Sequence, residues 1–223
     1  MEDKYKVIRQ SLIEWYPFKK DQKVLLINCS DSSLDELLYD RCTLSVNDDY
    51  GKLDSVGSGF DIVIMYDLYD FCIESNVKVK DMMDKLLSLK TSEGTLFVAM
   101  ENKLGMKYFA GCQEEQKGGF YVGIEDYSAW DSNIHPMSKK ELEDMLGELD
   151  VRSYQFYYPY PDYKYPTIIY TDDCLPKEGE LYRNIRNIDR DRYVIFDEKR
   201  AFDSVIKAGL FPEFSNSYLI SIN

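Results

Sequence analysis

Glu101 and Asn102 close an apolar run, Thr95–Met100, at the carboxyl end of a predicted strand, where open α/β sheets present functional groups. A carboxylate there can position a substrate or accept a proton from a hydroxyl. The neighbouring amide can join it in positioning, or simply cap the next helix. A second carboxylate, Asp162, lies in FYYPYPDYKYPT (Phe156–Thr167), where Tyr157, Tyr158, Tyr160, Tyr163 and Tyr165 are interleaved with Pro159, Pro161 and Pro166. Each proline fixes φ, so the stretch reads as extended and rigid. Aromatic faces beside a carboxylate suit a sugar or another small polar ligand. The alternative is a packed β-edge whose tyrosines bury their rings and leave their hydroxyls wet. Glu114, Glu115, Glu125 and Asp126 read as an acidic solvated surface.

The single histidine, His135, sits in the turn-like NIHP, which leaves imidazole-based nucleophile activation or a multi-histidine metal site almost nothing to use. No metal is expected. A net charge of −13 opposes binding to a phosphate backbone, which needs clustered Lys and Arg. Nucleic acid is therefore a poor partner. The five cysteines (Cys29, Cys42, Cys72, Cys112, Cys174) are odd in number and never form a C-x-x-C pair, which predicts thiols in a reducing, cytoplasmic compartment. The N-terminus lacks an apolar signal core, and the longest apolar runs, Val24–Ile27 and Ile62–Tyr66, are far shorter than a bilayer crossing. Neither secretion nor a membrane span is expected.

These groups need a scaffold. Val24–Cys29, Thr43–Asn47 and FDIVIMY (Phe60–Tyr66) read as buried strands. Between the first two, Ser32 or Ser33 can cap a helix carrying Leu34, Leu37 and Leu38, which makes a β-α-β unit. Val79, Met82, Met83, Leu86 and Leu87 recur at helical spacing before Gly94, and the Thr95–Met100 strand follows. Ser138 with Glu141 forms a capping-box pattern ahead of Leu142, Met145, Leu146 and Leu149. Strands are predicted at Val151–Tyr157 and Thr167–Thr171. Asp197 can cap a helix with Phe202, Val205 and Ile206 that ends at Gly209, before a last strand at Tyr218–Ile222. The alternation implies a mostly parallel sheet. With 223 residues and 44% hydrophobic content, one domain spanning 1–223 is expected, with a lid-like insertion around 103–137.

The element order, together with AMENKLGMKYFAG (Ala99–Gly111), FYYPYPDYKYPT and FDEKRAFDSVIKAGLFPEFSNSYL (Phe196–Leu219), resembles bacterial class I S-adenosylmethionine-dependent methyltransferases. The likeness is to the branch found beside glycosyltransferases in surface-polysaccharide gene clusters, and it covers nearly the whole chain. It implies an α/β, Rossmann-like sheet, mostly parallel with an antiparallel C-terminal strand. The stretch from Asp48 to Gly59 is too short for the family's third-strand unit, which needs at least ~20 residues.

The resemblance also implies a cofactor, S-adenosylmethionine, and places residues around it. The family's first strand ends in an acidic residue and a G-x-G-x-G turn. Here Leu26 stands at the acidic position, and Asn28, Ser30 and Ser32 stand at the glycines. Asn47, followed by Asp48 and Asp49, matches the ribose-binding position, and Asp67 matches the one facing the adenine amino group. Glu101 and Asn102 match the family's E-N pair.

Two functions follow. One is transfer of a methyl group to a hydroxyl of a sugar intermediate, with Glu101 or Asp162 as base and Asn102, Tyr158 and Tyr163 on the substrate. The other is a non-catalytic binding or scaffolding module, docked on a glycosyltransferase, because the departures from the family pattern all concern one ligand. A lectin-like role for Tyr158 and Tyr163 is a third.

Overall fold

The computed structural model describes residues 2–29, 33–116, 118–130, 134–151, 153–181 and 193–223. Helix α1 (Glu2–Gln10) leads to β1 (Lys23–Ile27), α2 (Ser33–Leu38) and β2 (Thr43–Asn47). A single 3-10 turn at Tyr50–Lys52 separates β2 from β3 (Phe60–Met65). Then come α3 (Leu68–Ser75), α4 (Val79–Leu89), β4 (Lys90–Glu101), α5 (Met106–Phe109) and α6 (Lys139–Glu148). Strands β5 (Tyr154–Tyr160) and β6 (Ile168–Thr171), helices α7 (Glu198–Lys207) and α8 (Phe211–Phe214), and β7 (Ser217–Ile222) complete the described elements.

One seven-stranded sheet runs in the order β2-β1-β3-β4-β7-β5-β6. The first four are mutually parallel, and β7 is antiparallel to both β4 and β5. This is the mostly parallel sheet with an antiparallel C-terminal strand that the sequence predicts. No third-strand unit intervenes between β2 and β3, so β2 is an edge strand. The sheet ends on β6, antiparallel to β5. The Tyr-Pro strand β5 is thus internal rather than a sheet edge, which corrects the packed-edge expectation.

Side-chain alternation sorts the strands onto two faces. Leu25, Val63, Met65, Val98 and Met100 join Met82, Met83, Leu86, Leu142, Leu146 and Phe202 in one core. Leu26, Ile62, Ile64, Phe97 and Ala99 join Leu12, Ile13, Leu34 and Leu38 in the other. Each such fully buried side chain contributes about 1.5–3 kcal/mol. The second core owes much to the segment after α1, where the rings of Trp15 and Tyr16 meet Phe97 edge-on at 6.2 and 5.1 Å. Helix α1, in the charged EDKYKVIRQ, is not among the elements predicted above.

The predicted capping box is present: Ser138 accepts from Glu141 N–H, while the Glu141 carboxylate accepts from Ser138 N–H. Asp197 caps α7 through the N–H groups of Lys199 and Arg200. Helix α2 starts at Ser33, which puts its cap at residue 32, outside the described residues. Strand β4 begins at Lys90 rather than Thr95 and includes Gly94. A Cβ at Gly94 would lie 2.9 Å from the Phe60 carbonyl, so only glycine lets β4 approach the start of β3 this closely. Strand β5 starts three residues later than predicted.

Candidate functional site

The carboxyl ends of β3, β4 and β5 converge on a buried ionic cluster. Asp67 follows β3, at the N-cap of α3 with φ 59°. Asp70, three residues on, lies in α3. Glu101 is the last residue of β4 and is fully buried. The chain beyond β5 brings in Asp162, Tyr163 and Lys164, and the segment between β4 and α6 brings in Lys107 and Glu115.

Lys164 Nζ lies 3.1 Å from Asp67 Oδ2 and 3.4 Å from Glu101 Oε1, and it also donates to Glu115 Oε2. Tyr163 Oη donates to Glu101 Oε1 at 3.0 Å. Lys107 Nζ donates to Asp162 Oδ2 at 2.7 Å and lies 3.3 Å from Glu115 Oε1. Asp162 Oδ1 accepts from Lys164 N–H at 3.0 Å. Among the described residues, four carboxylates thus share two ammonium groups.

The C-terminal Ser-Asn-Ser holds these pieces together. Asn216 accepts from Lys107 N–H through Oδ1 and donates to the Pro161 carbonyl, while Ser217 Oγ accepts from Tyr163 N–H. A Cβ on Gly105 would lie 2.9 Å from Asn216 Cα, so glycine is what allows β7 and the start of α5 to meet.

Burial dominates the electrostatics. It pushes the Glu101 carboxyl well above the usual range, helped by Glu115 and Asp67 and opposed by Lys164. It pushes Asp67 up to about 6 despite Lys164, and it raises Asp162 against the pull of Lys107. Burial works against both ammonium groups, yet the surrounding carboxylates hold Lys107 and Lys164 above the usual lysine range. Glu101 Oε2, Asp67 Oδ1 and the hydroxyls of Tyr108 and Tyr127 are buried with no hydrogen-bond partner among the described residues. A cluster with surplus acceptors in a low-dielectric setting can bind a hydrogen-bond donor or exchange a proton.

The turn after β1 is arranged differently. Asn28 has φ 59°, the left-handed region that glycine favours. Its Nδ2 donates to the Asp67 carbonyl at 3.0 Å. Asp48 Oδ1 accepts from Cys29 N–H at 3.0 Å, and Asn47 Oδ1 accepts from Asp49 N–H at 2.9 Å. Ser30 and Ser32 lie outside the described residues. Beside this turn, an open cavity of about 290 Å³ is lined by Asp48, Asp49, Tyr50, Phe71 and Glu74.

The structure brings together Glu101, Asp162, Tyr163 and Asp67, leaves Asn47 and Asp48 at the turn after β1, and gives Asn102 and Tyr158 other partners. Asn102 donates to the carbonyls of Glu213 and Ser215 at 2.8 and 2.7 Å and accepts from Leu104 N–H, which fully engages its amide in holding the chain. Tyr158 packs among Phe156, Phe211 and Tyr218 in the first core, with its hydroxyl on Asp172. Of the two residues expected on the solvated surface, Glu114 is buried, and Glu115 is partly buried with its carboxylate side chain almost covered. Asp126 is exposed and pairs with Lys103 at 2.7 Å.

Lys107, Lys164 and Glu115 are members that sequence reasoning missed. The available signal was a lysine inside each of two aromatic runs, MKYF and DYKY. His135 stacks on Tyr127 at 4.4 Å, and among the described residues no group of His, Cys, Asp and Glu side chains is arranged to hold a metal ion.

No protein-family model matches the chain, and no curated protein matches it. Solved structures do. The chain is similar in fold to a SAM-dependent methyltransferase from Archaeoglobus fulgidus, with 12% identity over 100% of this chain and 94% of that one and a TM-score of 0.51. A second similar structure is a SAM-dependent methyltransferase, possible histamine N-methyltransferase, from Thermotoga maritima, with 9% identity over 99% and 88% of the two chains and a TM-score of 0.47. The Archaeoglobus likeness, with the strand order, makes this a methyltransferase fold. No described helix is long and apolar enough to cross a membrane.

Proposed function

We propose that this methyltransferase-fold chain is a binding module for a polar, hydroxyl-bearing small molecule or glycan intermediate, taken at the Glu101–Asp162–Tyr163 cluster, and that its cofactor motif is degenerate. The observation that carries this reading is the hydrogen bond from Cys29 N–H to Asp48 Oδ1. In the family pattern the turn after the first strand and the acid after the second face the nucleoside. Here these groups face each other, Asn47 Oδ1 is engaged by Asp49, and the Asn28 side chain ties the β1 turn to Asp67. Asn28 and Asp48 are thus turned onto the chain itself, which does not fit S-adenosylmethionine in the ordinary pose, while Asn47 Nδ2 and Asp67 Oδ1 are left buried with no partner among the described residues.

Isothermal titration with S-adenosylmethionine and S-adenosylhomocysteine tests this directly. No heat of binding is expected up to millimolar ligand, and saturable binding would overturn the reading.

A second reading, an active sugar-hydroxyl methyltransferase, is favoured by one feature. Glu101 Oε2 is buried and unpartnered, as suits a group that accepts a proton from an acceptor hydroxyl. In that reading Asp162 and Tyr163 orient the acceptor, the segment around 103–137 serves as a lid within a single domain, and Ser30 contributes to the cofactor turn. The resemblance to the polysaccharide-cluster branch supports a glycosyltransferase as partner in either case. The odd number of cysteines and the lack of a C-x-x-C pair support a cytoplasmic setting.

A further inference from the structure

We propose that Asp67, Glu101 and Glu115 form a cage for the ammonium group of an amino alcohol, the pattern of a 2-amino sugar, and that Lys164 is a tethered occupant which such a ligand displaces. This rests on the reading of the cluster as a polar ligand's site and names the class of ligand.

Three carboxylates from three separate parts of the chain meet on one ammonium nitrogen. The separations to Asp67 and Glu101, 3.1 and 3.4 Å, are those of an ammonium nitrogen paired with carboxylate oxygens. The ring of Tyr163 adds an aromatic wall, with Lys164 Nζ 5.4 Å from its centroid, and Tyr66 packs against that ring at 5.3 Å. The cage is thus built for an organic ammonium.

Lys164 satisfies it incompletely. The Lys164 ammonium donates a hydrogen bond to Glu115 Oε2 and lies within ion-pair distance of Asp67 Oδ2 and Glu101 Oε1. Glu101 Oε2 and Asp67 Oδ1 remain buried without a donor among the described residues. An ammonium flanked by hydroxyls supplies both the charge and the missing O–H donors.

Lys164 is also the member best placed to leave. Its side chain is 19% exposed, against 0% for Glu101, and its backbone is held separately through the bond from its N–H to Asp162. The flexible stem can swing out without moving the backbone beyond β5. Only the amino-bearing carbon and its neighbours need enter the space it vacates.

The test uses the full chain and four probes: D-glucosamine, D-glucose, N-acetylglucosamine and n-propylammonium. Calorimetric titration should show Lys164→Ala binding glucosamine at least tenfold more tightly than the parent. Propylammonium should bind more weakly, and the two uncharged sugars should be silent. Glucose binding as well as glucosamine, or glucosamine silent on both proteins, overturns the proposal. If Lys164→Ala does not fold, Lys164→Met fills the vacated volume without charge and takes the same titration. Glucose binding without an ammonium preference removes the cage and leaves the polar-ligand reading, whereas S-adenosylmethionine binding removes that reading's closed donor side and leaves the cage.

Discussion

Lys107 Nζ and Asp162 Oδ2 meet at 2.7 Å across 55 residues of sequence, with both side chains almost wholly inaccessible. A buried pair of this kind adds little net stability over an apolar replacement, but removing one partner strands the other charge. Lys107→Met leaves Asp162 and Glu115 without that ammonium, and a loss of about 3–5 kcal/mol is expected in urea denaturation. Lys140→Ala, which breaks the surface pair with Asp144, should leave the midpoint unchanged. Equal effects from the two would rule out the cluster as a structural keystone.

The cluster also sets a pH dependence. Asp67 is pushed up to about 6 and Glu101 well above the usual carboxylate range, so both bind their proton more tightly in the folded chain than in the unfolded one. Their contribution is full below the ordinary carboxylate values and is lost as the pH rises through the folded values. The melting temperature should therefore be higher at pH 5.5 than at pH 7.5. Glu101→Gln mimics the protonated carboxyl, can still accept from Tyr163, and should shrink the difference. An unchanged slope in that variant would exclude Glu101 as a source.

Asn28 carries a left-handed backbone and a side-chain bolt at once. Asn28→Gly relieves strain of about 1 kcal/mol and loses one hydrogen bond of about the same size, so it should be near neutral. Asn28→Ala keeps the strain and loses the bond, and should be about 1–2 kcal/mol less stable in chemical denaturation. Equal stability of the two variants would mean that the backbone at 28 bears no strain.

What the sequence made legible was local or periodic. Ser138 and Glu141 are three residues apart, so their capping box could be read from spacing alone. The strands β1 and β3, buried on both faces, stand out as continuous apolar runs. Helix α3 escaped notice because Asp67 enters it from the left-handed region without a side-chain cap bond. Tyr158 and Tyr163 look equivalent in sequence, yet β5 ends at Tyr160. The first tyrosine therefore packs with the core containing Met82, and the second turns onto the end of β4. Lys107 and Lys164 were invisible for a different reason. Lysines are rarely buried, and what permits it here is a set of partners drawn from distant segments.

Asn102 separates a substrate-facing role from a structural one. Its amide holds the carbonyls of Glu213 and Ser215 and the N–H of Leu104, linking the end of β4 to the turn between α8 and β7. Asn102→Ala leaves all three backbone groups unsatisfied, two of them facing an amide that lies fully inside the protein. A loss of about 2–4 kcal/mol is expected, because unmade buried hydrogen bonds cost more than made ones contribute. The same turn positions Asn216 and Ser217, which hold Lys107 and Tyr163. Weaker glucosamine binding in an Asn102→Ala, Lys164→Ala double variant than in Lys164→Ala alone should therefore accompany the lost stability, and a stable double variant with altered affinity would instead put Asn102 on the ligand.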